Sequence, residues 1–288
     1  MAHCTSPAAE QVLDREFRVL DKGFVRLVDY LGNDGRIVQA ARVSYGDGTK
    51  SYREDAGLID YLLRNRHTSP FEQVVLTFHM KLPVFIARQI VRHRTARLNE
   101  ISGRYSVMKD DFYVPEAADL NPQSESNKQA RGAGVFPPEE AAALRAGLAA
   151  VQAHCYGEYQ KLIAAGLARE VARINLPLSL YTEWYWQIDL NNLFHFLELR
   201  LGAHAQKEVR DYARVMFDLA KTVAPAACAA FEEHIAGSCT FSRSELRELR
   251  RRLADGAPGE APPLSAPPLS APPLSAKALE RFEEKLRG

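Results

Sequence analysis

The stretch "FEQVVLTFHMKLPVFIARQIVRHRTARLNEISGRYS", Phe71 to Ser106, sets the architecture of this chain. Its opening, Phe71 to Leu82, has the β-branched and aromatic content of a strand. Pro83 suits the first turn of a helix, so the spacing predicts a helix running from Pro83 towards Arg94. Arg88 and Arg92 would then share one face, with Gln89 beside them. Behind that apolar run, Arg92 to Ser106 packs four arginines, a histidine and a glutamate.

Working outward, Phe24 to Gly32 alternates like a strand, and "DGRIVQAARVSY" reads as a helix opened by Asp34. Glu54 to His67 is an amphipathic helix stopped by "TSP". Glu116 to Pro138 is polar, Pro/Gly-rich and aperiodic, which describes a mobile loop or lid. Glu139 to Gly166 is a long helix, "LAREVARINLP" a shorter one ended by Pro177, and "LYTEWYWQIDL" an aromatic strand. Asn191 to Arg200 and "AHAQKEVRDYARVMFDLAKTV" complete the helices, which outnumber the strands. The expected fold class is mixed α+β (α/β in the broad sense), with a central sheet flanked by long helices. Beyond about Thr240 the character changes to a charged helix, a Pro-rich "APPLS" repeat expected to be an extended spacer, and a terminal amphipathic helix. Residues 1–240 are therefore expected to be the main domain and 241–288 an appendage.

With 37 Lys and Arg against 36 Asp and Glu in 288 residues, there is no global basic field for nucleic acid or an anionic membrane. Any anion is bound locally. The start "MAHCTSPAAE" has neither a basic nor an apolar leader region, and no window approaches membrane-spanning length, so a cytoplasmic location is expected. The four cysteines lack CxxC spacing, which fits reduced thiols and argues against a zinc site. No metal site is expected. GxGxxG, Walker, HExxH and GxSxG motifs are all absent.

Arginine is the residue of choice where a planar fork must grip phosphate oxygens. The cluster follows an apolar helix, is not interleaved with surface glutamates and lysines, and ends in "SGRYS", where Gly103 suggests tight backbone approach to a ligand. A double-anion pocket is the favoured reading over a solvated basic face. Glu100 is either a counter-ion or an acceptor for a base, sugar or flavin. His195, in "LFHFLE", reads by itself as a core histidine.

Together, "HTSPFE", "RHRTARLNEISGRY", "ARINLPLSLYTEWYW" and "LRLGAHAQKEVRDYA" resemble the flavin-dependent thymidylate synthases. The family's motif is RHR, seven residues, then Ser, which Arg92-His93-Arg94 and Ser102 satisfy. The resemblance spans roughly Leu13 to Thr240. It implies reductive methylation of dUMP to dTMP, with 5,10-methylenetetrahydrofolate as carbon donor, NADPH as reductant and FAD carrying the hydride, and without a cysteine nucleophile. It implies a homotetramer with active sites at subunit junctions. Carried over position by position, it assigns Gln89, Arg92, Glu100, Ser102, Gly103, Arg104 and Arg173 to dUMP. Arg200 is assigned to polarising the uracil ring, and Ser69, Arg92, His93, Arg94, Glu100, Asp189, Asn191 and His195 to FAD. Two positions depart from the family: Arg97 stands where a small polar residue is common, and His195 where some relatives have asparagine.

Overall fold

Leu76, Phe78, Met80 and Leu82 are completely buried, while Val75, Thr77, His79 and Lys81 between them are not. That period of two puts the apolar set on one face of a sheet. The computed structural model describes residues 5–44, 52–125, 131–255 and 276–287. The chain clusters into two units, Met1–Ala236 and Gly237–Gly288.

The first unit holds a five-stranded sheet of β1 (Phe17–Val19), β2 (Gly23–Leu31), β3 (Val75–Pro83), β4 (Arg97–Glu100) and β5 (Tyr181–Asp189). Its order is β1-β2-β3-β5-β4, and every pair is antiparallel. Phe78 faces Leu27 on one side and Trp186 on the other, and Met80 faces Val25 and Trp184. A register shift between Leu27 and Asp29 changes the phase of β2, so that Tyr30 is buried and Asp29 exposed.

The helices are α1 (Pro7–Glu10), α2 (Asp34–Ala41), α3 (Tyr52–Arg64), α4 (Val84–Ile90), α5 (Pro138–Ala164), α6 (Arg169–Ala172), α7 (Leu190–Leu201), α8 (Lys207–Val223) and α9 (Pro225–Phe231). α8 packs on β1, β2 and α4, burying Val209, Tyr212, Ala213, Met216 and Ala220. The Tyr212 hydroxyl donates to the Lys81 carbonyl at 2.6 Å. Gly23 makes room for it, since a Cβ there would lie 2.0 Å from that hydroxyl. The sheet is mixed with helices as expected, and its antiparallel pairing makes the fold α+β, with none of the parallel crossovers that α/β would imply among the described residues.

Two expectations change. The helix predicted from Pro83 towards Arg94 ends at Ile90, with the His93 amide bonded to the Ile90 carbonyl at 3.0 Å. The chain must turn there because β5 takes Arg97–Glu100 as its edge partner, and Arg92 therefore lies in a turn rather than on a helix face with Arg88. The segment from Glu116 to Pro138, read as a mobile loop or lid, is anchored in its described parts. Ala117–Asp119 forms a 3-10 turn, Gln123 bridges Arg131, and Arg131 is paired with Glu208.

The second unit contains α10 (Arg243–Asp255) and α11 (Ala276–Arg287). Phe282 is fully buried there, with Phe241 at 6.0 Å between ring centroids and the Arg252 guanidinium 5.1 Å above its ring. The Pro-rich repeat lies outside the described residues.

Candidate active site

The C-terminal end of α7 meets the turn after α4. α7 is capped by Asp189, whose side chain accepts from the Asn192 amide at 2.9 Å, and runs to Leu201 before Gly202. Near its end Arg200 donates from Nε to His93 Nε2 at 3.2 Å and from Nη2 to the Gln89 carbonyl at 3.4 Å. Burial, the Arg200 charge and His195 push the His93 pKa down to about 4, so His93 is neutral at pH 7 and its Nε2 accepts the hydrogen bond from Arg200 without opposing its charge. Burial, and secondly the nearby Arg92, lower the Arg200 pKa from its ordinary value. Among the described residues no carboxylate pairs with Arg200, Arg92 or Arg94, so this corner carries uncompensated positive charge beside a neutral imidazole.

A second group lies along β4 and the turn after it. Glu100, Gly103 and Arg173 line one pocket of about 200 Å3, together with Thr182. Thr182, 3% exposed, donates to a Glu100 carboxylate oxygen at 2.6 Å and fixes its orientation. Gly103, read from the sequence as a point of close approach to a ligand, is crowded by protein: a Cβ there would stand 2.9 Å from Met108 Sδ and 3.1 Å from Arg173 Cδ. Its small size therefore seats the Arg173 side chain. Ser102 Oγ accepts from the Arg104 amide at 3.3 Å, and Arg104 is exposed in an ion pair with Glu170 at 2.8 Å.

The remaining positions are spread along α7. Asn191 is half-buried in its first turn. His195 is exposed, not a core histidine, and its ring lies 6.0 Å from that of His93. Ser69 opens a 3-10 segment that packs on α7, and it lines a separate pocket of about 510 Å3 with Thr68 and His67. The structure thus joins Gln89, His93 and Arg200 by hydrogen bonds and gathers Glu100, Gly103 and Arg173 in one pocket, while Ser69 belongs to neither group. Arg97 reaches across to β5, donating from Nη1 to Oε1 of its register partner Gln187 at 3.5 Å.

The family description Thymidylate synthase complementing protein matches residues 26–226. The flavin-dependent thymidylate synthase of Treponema denticola is 59% identical over 275 residues, covering 96% of this chain and 98% of that protein. The chain belongs to the flavin-dependent thymidylate synthase family. The Thermus thermophilus flavin-dependent thymidylate synthase is 60% identical over 232 residues, 81% of this chain and 84% of that protein. Among solved structures, the UMP/dUMP methylase PolB from Streptomyces cacaoi, bound with 5-Br dUMP, matches with a TM-score of 0.69 at 33% identity. It covers 76% of this chain and 98% of that one. A further description, Thymidylate synthase ThyX C-terminal domain, matches residues 239–288, so the tail that the motifs left outside the resemblance falls within the synthase family.

For this family member the sequence blocks leave several site neighbours unassigned. Gln206 bonds Gln89 at 2.6 Å and Glu208 at 2.9 Å. Gln206, Lys207, His204 and Arg131 line a polar pocket of about 460 Å3. Glu208 had a legible signal: a charged residue one turn before Tyr212, on the stripe that α8 buries. Thr182 had none beyond its place on β5. No helix among the described residues is long and apolar enough to cross a membrane. Among those residues no cluster of three or more His, Cys, Asp or Glu could hold a metal ion.

Proposed function

We propose that this protein reductively methylates dUMP to dTMP, taking the carbon from 5,10-methylenetetrahydrofolate and the electrons from NADPH through FAD, without a cysteine nucleophile. The observation that carries the reading is Arg200, a cation held by a neutral histidine and a backbone carbonyl and left without a carboxylate among the described residues. Such a guanidinium keeps its charge for the ligand. Beside a pyrimidine it would favour the ionised ring and raise electron density at the carbon to be methylated.

The residues fit a flavin dinucleotide. Arg92 and Arg94 are exposed and outside any ion pair among the described residues, so both guanidinium forks would be open to the cofactor's phosphates. Arg92, His93, Arg94, Glu100, Ser69, Asp189, Asn191 and His195 would hold it. When bound, FAD supplies hydride transfer between NADPH and the folate-derived carbon. Gln89, Arg92, Glu100, Ser102, Gly103, Arg104 and Arg173 would hold dUMP, with Thr182 fixing Glu100 and Gly103 seating Arg173. Among the described residues no cysteine lines the pockets named above, and burial pushes the Cys228 thiol pKa up, away from a nucleophilic thiolate.

A homotetramer with sites at subunit junctions accounts for two features. Every residue of β4 is exposed although the strand carries Glu100, and Ser69 lies in a pocket apart from the dUMP group. Small molecules are the other partners, in a cytoplasmic setting, with residues 1–240 catalytic and 241–288 appended. The test is a mass-spectrometric assay for dTMP from dUMP, methylenetetrahydrofolate and NADPH, run anaerobically on flavin-stripped protein with and without FAD. FAD-dependent product is expected. No product from protein that rebinds FAD would overturn the reading.

A further inference from the structure

Glu208 stands in the first turn of α8 and is 1% exposed. Its carboxylate accepts from the Tyr113 hydroxyl at 3.1 Å, from Arg131, and from Gln206 Nε2 at 2.9 Å. Burial acts to raise its pKa, but the hydrogen bonds led by Arg131 outweigh burial and hold it below the ordinary carboxylate value. An ionised carboxylate only accepts hydrogen bonds.

That restriction propagates. Gln206 must turn its NH2 group towards Glu208, which leaves its Oε1 facing the other way. There Gln206 Oε1 accepts from Gln89 Nε2 at 2.6 Å. The donor end of Gln89 is thereby turned to Gln206, and its Oε1 is the end left facing away, available to a ligand. Two glutamines between neutral partners could each be reversed at little cost, because an amide offers a donor and an acceptor of nearly the same shape. A buried charge at one end of the chain removes that degeneracy.

We infer that Glu208 is a positioning residue that sets the hydrogen-bond polarity of Gln89 through Gln206, so that Gln89 presents an acceptor to a hydroxyl or N–H of the bound nucleotide. This rests on dUMP being the ligand, as proposed above. dUMP carries both kinds of donor, a sugar hydroxyl and a ring N–H. Through Tyr113 and Arg131 the same carboxylate joins two stretches of the connecting chain before α5 to the nucleotide site.

The test is a double-mutant cycle read as dUMP dissociation constants, by calorimetry on full-length, FAD-loaded protein. Glu208→Gln keeps the shape but can donate as well as accept. It should raise the dUMP Kd about tenfold, the size expected for losing one well-placed hydrogen bond to the ligand. Gln89→Met should do the same, and Glu208→Gln added to Gln89→Met should cost no more than about twofold further, because the two act through one contact. Gln206→Met breaks the chain at its middle while leaving Glu208 with Tyr113 and Arg131, and should match Glu208→Gln, so the test stands even if Glu208→Gln does not fold. Equal losses from Glu208→Gln in both backgrounds would mean a general structural role and overturn the inference. So would an unchanged Kd in Gln206→Met. Wild-type protein that binds no dUMP would overturn the functional reading, and the inference with it, before any substitution is made.

Discussion

His93 should make the folded protein lose stability in acid, and the size follows from its surroundings. Its pKa in the fold is about 4, lowered from 6.5 by burial first, then by Arg200 and His195. Between those values the unfolded chain binds more protons than the folded one, so stability rises with pH across the window and is lost as pH falls through it. From about pH 7.5 to about pH 5 the linkage relation gives a ceiling of about 2 kcal/mol for this one group. His93 is only half-buried, so solvent screening reduces that to about 1 kcal/mol. Gln in its place cannot be protonated, and its side-chain oxygen can still accept from Arg200. Urea unfolding of wild type and His93→Gln, at one protein concentration and at both pH values, isolates the contribution. Wild type should lose about 1 kcal/mol more than the variant on acidification. Equal losses would refute the claim that His93 is held neutral.

Arg200→Ala should lower thymidylate formation at least about a hundredfold while flavin absorbance is retained, because the lost charge acts on the ring and not on the cofactor phosphates. Turnover kept near the wild-type rate would remove Arg200 from its role. Gly103→Ala should displace Arg173 and raise the dUMP Kd about tenfold in calorimetry, with little change in melting temperature because the atoms it meets belong to the flexible side chains of Met108 and Arg173. Thr182→Val keeps the buried volume but leaves Glu100 without its donor, and should weaken dUMP binding by a similar factor. Truncation after Thr240 should leave dTMP formation intact, and loss of product in the same assay would show that the appended unit takes part in catalysis.

The sheet was legible where each strand obeys a local rule. β3 and β5 announce themselves by β-branched and aromatic alternation, and α8 by a stripe from Val209 through Tyr212, Met216 and Ala220. β4 was not legible. Arg97, Leu98, Asn99 and Glu100 are all exposed, so no burial pattern marks them, and they are extended only because β5 offers a free edge from a distant part of the chain. That non-local pairing is also why the helix predicted to reach Arg94 stops at Ile90. Gly103 was singled out for close approach to a ligand, whereas the crowding it has in the structure comes from Met108 and Arg173. Gln206 escaped notice because a glutamine at a helix N-terminus carries no periodic signal.

α7 also acts as a ruler. From its cap at Asp189 to Arg200 the helix advances roughly 16 Å, at 1.5 Å per residue, so the residues assigned to flavin at one end and to the uracil ring at the other are held apart by a rigid rod. One residue inserted between them would change the spacing by about 1.5 Å and swing Arg200 about 100° around the axis, away from His93. An insertion or deletion within α7 would therefore disturb both ends at once, whereas one in the loops on either side of it would leave this spacing unchanged.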